Sequence, residues 1–447
     1  IIDHVADLFE SHGADIWFEA DNSILLPEGT KCPECEGNTF EIEQHILDLW
    51  FVSGVSHTAV LESRDYLSWP ADMYLEGSDQ HRGWFHSSLL TAVGTRGKAP
   101  YESVLTHGFV VDGKGEKMSK SKGNVIAPSE IIDQYGGEIL RLWVAASDYQ
   151  DDIRISEKIL KQLTDAYRRI RNTSRFMIGN LGDFDPEADA VPYEEMLEID
   201  RFALHHLQGL VSRARTAYDA YEFHAVYHNL YNYCTVDLGA FYLDVLKDRL
   251  YTSPARSTAR RSAQTALNTI LDTLVRLMAP ILVFTAEELW VHMPGADARP
   301  ASGHLTQLPE VEEGFLDDEL AKRWESILLI RGEVSKALEE ARTQKIIGHA
   351  LDAAVSLSIP EALSAVVKPD ADELRTVFIV SKVNILTEEG LSGGHQSTKI
   401  PGLAIQVDSA PGEKCERCWI HEPSVGADAL HKTICARCLR VLVDIEN

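Results

Sequence analysis

The chain has 447 residues, 45% hydrophobic and 25% charged, with 69 acidic against 42 basic side chains and a formal net charge of −27. This length exceeds one ordinary domain and predicts two to four. No apolar run approaches the ~20 residues of a membrane span, and the acidity argues against general attraction to nucleic acid, though a local basic track would suffice to bind a strand.

The chain opens at Ile1 with no methionine and no leader, which is expected of a cut from a longer protein. Its seven cysteines fall mostly in pairs two residues apart, as metal sites in a reducing, cytoplasmic setting do, rather than as a secreted disulfide frame. Cys32 and Cys35 form the first pair. They are half of a zinc site or two inert thiols, and the sequence leaves both open.

From about Ile46 to Leu142, short apolar runs alternate with turns and helical patterns, which predicts an α/β sheet. Met73-Tyr74-Leu75 is expected to be a buried strand ending in Glu76-Gly77-Ser78-Asp79-Gln80-His81, with polar groups gathered at its carboxyl end. Arg82-Gly83-Trp84-Phe85 should open a helix running to about Val93. The run HGFVVDGKGEKMSKSKGN, His107 to Asn124, follows. Lys117 and Lys120 stand there in a loop framed by Gly113, Gly115 and Gly123, so two ammonium groups and two serine hydroxyls ride on a backbone free to take unusual angles. Such a loop suits closure over a polyphosphate.

From Ile155 to about Pro294, apolar residues recur at three and four, predicting a helix bundle with Pro280 ending a helix after Met278-Ala279 and an acidic loop from Asn180 to Pro192. Arg331 to Ala353 is expected to be helical. VSLSI and ELRTVFIVSKVNIL are expected to be strand-rich. Cys415-x-x-Cys418 and Cys435-x-x-Cys438, with sixteen residues between them, form a four-thiolate zinc pattern, with His421 and His431 outside the ligand set.

The segment around Lys117-Met118-Ser119-Lys120-Ser121 resembles the second signature of the class I aminoacyl-tRNA synthetases. LEGSDQHRGWF and the tail GEKCERCW…ICARC resemble its bacterial-type isoleucine-specific branch. The resemblance implies a multidomain α/β plus all-α architecture. It comprises the second half of a Rossmann-like catalytic domain (1–154), a helical anticodon-binding domain (155–312), a small α/β module (313–410) and a zinc-binding tail (411–447). It implies ATP-dependent activation of L-isoleucine with Mg2+, transfer to tRNA(Ile), one Zn2+, and a cytoplasmic, monomeric enzyme with no DNA or membrane partner. By the same resemblance Lys117 and Lys120 are catalytic, with His107, Gly108, Ser119 and Lys120 at ATP. Glu76, Gly77, Gln80, Trp84 and Trp50 lie at the aminoacyl-adenylate, and Arg168, Arg169, Arg171 and Lys345 lie toward tRNA. Asp48-Leu49-Trp50-Phe51-Val52-Ser53-Gly54 departs from the family run at Val52, where an aspartate is usual. The family's first signature, His-Ile-Gly-His or similar, does not occur in these residues, so the fragment alone is expected to be inactive. A valine-specific relative and a non-catalytic tRNA-binding protein are the alternatives. A zinc-ribbon DNA-binding protein would need a basic surround that this chain lacks.

Overall fold

The computed structural model describes residues 1–368, 370–386, 391 and 393–446. The chain divides into two compact units, Ile1–Phe109 and Val110–Asn447.

The first unit is built on one parallel strand pair. Strand Ala71–Gly77 runs beside Tyr101–His107, with Ala71 opposite Tyr101 and Gly77 opposite His107. Helix Trp84–Arg96 makes the crossover and stops at Gly97, which takes φ 70°, the left-handed cap that glycine accepts without strain. Tyr74 is the buried centre: its ring stacks on Trp84 at 4.3 Å and its hydroxyl bonds Ser88 Oγ at 3.1 Å. Helix Leu49–Gly54 packs against the crossover helix so closely that a Cβ on Gly54 would meet Ser87 at 2.9 Å. The strand expected to be buried is buried at Tyr74 only; Leu75 is 53% exposed. Parallel strands normally need cover on both faces, and two strands with one helix cover only the Tyr74 side.

The second unit opens with strand Val110–Val111, paired in parallel with Ile153–Arg154. Helices Glu157–Gly179, Glu198–Asp219, Thr258–Met278 and Val283–His292 form a bundle around a largely apolar core. Their apolar residues fall three and four apart, as an amphipathic helix requires. Helix Phe223–Asn232 runs on through a π-helical stretch, Tyr233–Tyr242, into Leu243–Thr252. Helix Thr258–Met278 ends just before Pro280, as the proline dictates.

Helix Asp318–Thr343 leads to a four-stranded mixed sheet in the order Lys382–Leu386, Ala353–Ser358, Ala404–Ser409, His395–Gln396. Two expectations shift here. The helix expected over Arg331 to Ala353 starts at Asp318, because the Asp317 carboxylate caps it by accepting from Leu320 N–H at 2.9 Å. It stops at Thr343, Lys345 taking φ 62° and Ala353 entering the sheet. ELRTVF is helical, within Ala371–Phe378. Asp370 accepts from the N–H groups of Asp372 and Glu373 at 3.0 and 2.9 Å, and Leu374, Val377 and Phe378 are buried on one face. The β-branched content had suggested a strand; the cap and the three–four spacing decide otherwise. Among the described residues, no helix is long and apolar enough to cross a membrane.

Candidate nucleotide-site elements and metal centre

In the first unit, both parallel strands end together, at Gly77 and His107. Ligands of open α/β sheets gather at such carboxyl ends. A Cβ on Gly77 would lie 2.5 Å from Asp79 Oδ1 and 3.5 Å from His107 Cε1, so a larger residue there would push the Asp79 side chain aside. Glu76 is exposed at this edge. Gln80 Oε1 accepts from Trp84 N–H at 3.2 Å, capping the crossover helix, while its Nε2 donates to Asp79 at 3.1 Å. Gly83 admits the Trp50 ring, which would stand 3.0 Å from a Cβ there. Trp50, Gln80 and Trp84 therefore converge on one patch. Trp84 also donates from Nε1 to Ser53 C=O at 3.0 Å, fixing its ring. His57 is buried; Trp69 Nε1 donates to its Nδ1 at 3.2 Å, and burial lowers its pKa. It is a structural residue. His107 is exposed and bonds Gly108 C=O at 2.8 Å.

In the second unit, the lysine loop is a hairpin closed by an antiparallel bridge from Val111 to Lys117. Asp112 organises it. Its Oδ1 accepts from Lys114 N–H and Glu116 N–H, both at 2.9 Å, and its Oδ2 accepts from Asn124 Nδ2 at 2.9 Å. These donors, Asn124 foremost, hold the carboxyl below its ordinary pKa. Asn124 Oδ1 in turn accepts from Ser119 N–H at 3.0 Å. Ser119 caps the short 3-10 turn Lys120–Lys122, and Gly123 ends it at φ 66°. Lys117 and Lys120 are exposed, while Met118 packs on the core of the unit. The loop is thus a held frame presenting charge to solvent. The sequence reading took in the lysines and glycines but not Asp112 and Asn124. An Asp-Gly-x-Gly turn ahead of the lysines was the available signal.

The four tail cysteines converge. Their sulfurs lie within 4.8 Å of one another, and Cys418 Sγ stands 3.8 Å from Cys435 Sγ. That is far beyond a disulfide bond and matches the edge of a thiolate tetrahedron around a metal at ~2.3 Å. The set is largely buried, so a metal there is shielded from water. His421 lies outside it, bonded to Gly412 C=O at 3.1 Å and facing Asp352 at 3.4 Å. The module docks through Arg437, whose guanidinium grips Asp248 at 2.6 and 2.7 Å, and through Arg417, which donates to Thr252 C=O at 2.8 Å.

The Cys32 turn repeats the backbone of the Cys415 turn. Cys415 N–H donates to Ile420 C=O at 3.0 Å, and Trp419 N–H donates to Cys415 C=O at 2.8 Å, with Trp419 at φ 65°. Likewise Cys32 N–H donates to Gly37 C=O at 2.8 Å, and Glu36 N–H donates to Cys32 C=O at 2.9 Å, with Glu36 at φ 58°. Among the described residues no third ligand joins Cys32 and Cys35.

Of the basic residues assigned toward tRNA, Arg168 faces Asp165 at 3.4 Å and Arg171 is clamped by Glu288 at 2.6 Å. Arg169 and Lys345 are exposed.

Residues 1–156 match the family model for class I tRNA synthetases of the I, L, M and V group. The chain belongs to that family. Residues 200–357 match the anticodon-binding domain of tRNA ligases, and 412–441 match a zinc finger found in FPG and IleRS. The cysteine tetrad is accordingly a Zn2+ site, on the geometry above as well as the match. The isoleucine–tRNA ligase of Geobacter sulfurreducens is 56% identical over 435 residues, covering 97% of this chain and 47% of that protein. That of Syntrophotalea carbinolica is 56% identical, covering 99% and 48%, and that of Moorella thermoacetica 53%, covering 99% and 48%. The chain spans about half the length of the curated relatives it matches. A crystal structure of an Agrobacterium radiobacter LeuRS–tRNA–LeuAMS complex is similar in fold, with a TM-score of 0.50 at 19% identity over 64% of this chain and 36% of that one.

Proposed function

We propose that this chain is the lysine-signature portion of an isoleucine–tRNA ligase. It would act in the activation of L-isoleucine by ATP and Mg2+ and the transfer of the acyl group to tRNA(Ile). The observation that carries this is the 56% identity to isoleucine–tRNA ligases along 97% of the chain. The substrate carboxylate attacks the α-phosphorus and pyrophosphate leaves. No enzyme nucleophile is required, so positioning and charge stabilisation supply the rate. Lys117 and Lys120 neutralise the phosphate charge, with Ser119, His107 and Gly108 at the nucleotide. Glu76, Gly77, Gln80, Trp84 and Trp50 receive the adenylate. Arg168, Arg169, Arg171 and Lys345 face tRNA. Cys32 and Cys35, in a turn matching the Cys415 turn, are half of a second thiolate site. The working divisions are 1–154, 155–312, 313–410 and 411–447, and the enzyme is cytoplasmic, monomeric and without a DNA partner.

A non-catalytic tRNA-binding role is the second reading, favoured by Val52 in place of an acid. Pyrophosphate exchange with isoleucine and with valine, on the whole gene product and its Lys120→Ala variant, separates the readings. Isoleucine-dependent exchange that falls ~10²–10³-fold in the variant is the expected result. A folded, zinc-loaded protein with no exchange for either amino acid would establish the second reading, and exchange driven by valine would redirect the specificity.

A further inference from the structure

The lysine signature does not hold itself in place. Between Val111 and Asn124 the backbone has one bridge, Val111 to Lys117, one tight turn in which Asp112 N–H donates to Glu116 C=O and Gly115 N–H to Asp112 C=O, both at 2.9 Å, and one short 3-10 turn. These backbone contacts hold only the first half, and what ties the far end, at Asn124, back to the base is a side-chain pair, Asn124 Nδ2 donating to Asp112 Oδ2 at 2.9 Å. Each member then grips a different stretch. Asp112 holds the backbone N–H groups of Lys114 and Glu116, on the way in. Asn124 holds Ser119 N–H at 3.0 Å and reaches Lys117 C=O at 3.4 Å, on either side of Met118. The base is seated where the long bundle helix begins: a Cβ on Gly113 would lie 3.0 Å from Ser156 Cβ, and Ser156 is that helix's cap.

We propose that Asp112 and Asn124 form a clasp that sets the reach of Lys117 and Lys120, making both of them positioning residues for adenylate formation. The proposal rests on the ligase reading above. Ordering a backbone costs conformational entropy, so an unclasped loop would spread its lysines over many positions. The clasp meets that cost before substrate arrives. Chemically the pair is complementary. Asp112 is acceptor-only and takes three donors, and Asn124 is the one partner that can donate to it and still accept from Ser119. A carboxylate at 124 would face the Asp112 carboxylate and open the clasp. Exchanging the two side chains would close it again. The amide at 112 keeps an oxygen for the two backbone N–H groups and donates to the carboxylate at 124, whose other oxygen takes Ser119 N–H. Only the long contact to Lys117 C=O is lost.

The test is isoleucine-dependent pyrophosphate exchange on the whole gene product as wild type, Asn124→Asp, the double variant Asp112→Asn with Asn124→Asp, and Lys120→Ala. Misplacement of a reacting group by ~1 Å costs about a hundredfold. Asn124→Asp is expected to lose about that much in kcat, with the isoleucine KM little changed and the melting temperature preserved. The double variant is expected to recover most of it. Lys120→Ala is expected to collapse. Wild-type exchange in Asn124→Asp beside a collapsed Lys120→Ala would overturn the clasp and leave the ligase reading intact. Loss in the single variant with no recovery in the double would also overturn it. Normal exchange in Lys120→Ala would remove the reading beneath, and the proposal with it.

Discussion

Arg249 binds the fully buried carboxylate of Asp200 with two hydrogen bonds, at 2.6 and 2.8 Å. Tyr242 donates to the same carboxylate at 2.7 Å, and Ser262 Oγ donates as well. The network joins helices Glu198–Asp219, Leu243–Thr252 and Thr258–Met278 with the end of the π-helical stretch, so one carboxylate registers the bundle. Asp200→Ala would strand a nearly buried guanidinium and a tyrosine hydroxyl. A loss of about 3–5 kcal/mol in denaturant-induced unfolding of the bundle is expected. Asp200→Ala combined with Arg249→Ala should cost clearly less than the sum of the two single variants. Simple additivity in that cycle would mean the pair does not act as a unit.

Removing zinc should release the tail before it harms the bundle. The tail's own packing is small: Ile420 and the four cysteines make up its buried cluster, with Leu351, Val425 and Ile434 against it. A structural metal supplies most of the folding free energy of such a module. Chelation, or Cys435→Ser, is expected to abolish bound zinc at this centre by native mass spectrometry. It should raise amide exchange across 412–441 and leave exchange in the helix Thr258–Met278 near its original protection. Unchanged protection of the tail after metal loss would show that its docking contacts, Arg437 to Asp248 and Arg417 to Thr252, hold it without zinc.

Acid should unfasten the sheet from its helix through Glu333. This side chain is buried on helix Asp318–Thr343, with Lys336 Nζ at 2.6 Å and His395 Nε2 at 3.3 Å. Hydrogen bonds from Lys336, then Ser397 and His395, hold its carboxyl down to about 2, against 4.5 for an unperturbed glutamate. A depressed carboxyl stabilises the fold fully above the unfolded value. That contribution drains away as pH falls from about 4.5 toward 2. His395 also faces Glu340 at 3.0 Å, so the cluster couples strand His395–Gln396 to the helix. Glu333→Gln should therefore lower the melting temperature at pH 7, and its deficit relative to wild type should shrink steadily below pH 4.5. A deficit independent of pH would assign the loss to packing.

Much of this was legible in the residues, and for physical reasons. The four cysteines, the lysine loop and the bundle's three–four spacing are local patterns, each tied to one geometry. Pro280 ends its helix because a missing N–H has the same consequence in any fold. What escaped was set by partners distant in sequence. Arg249 meets Asp200 across 49 residues and Arg437 meets Asp248 across 189, and no spacing rule encodes either. ELRTVF looked like a strand because its β-branched residues were weighed without Asp370, whose side chain starts the helix. Asp112 and Asn124 lay inside a run already singled out. The lysines drew the reading to charge, while the shape of the loop depends on neutral and acidic neighbours.

Trp84 links the first unit's core to the patch assigned to the aminoacyl group. Its ring lies on Tyr74 at 4.3 Å and its Nε1 is tied to Ser53 C=O at 3.0 Å. Trp84→Ala would remove both, leave a cavity, and cost about 3–5 kcal/mol, so a loss of activity there would report folding. Trp84→Phe keeps an aromatic face on Tyr74 and gives up the N–H bond, a change of about 1 kcal/mol. If the ring walls an aliphatic pocket, the Phe variant should raise the isoleucine KM severalfold while the ATP KM stays in place, because the lost contact is made to bound amino acid as well as to the transition state. The ratio of isoleucine to valine exchange should shift within the ~10–200-fold that one methylene can contribute. An unchanged isoleucine KM in a stably folded Trp84→Phe protein would confine Trp84 to the core and leave Trp50, 49% exposed beside Gly83, as the ring to test next.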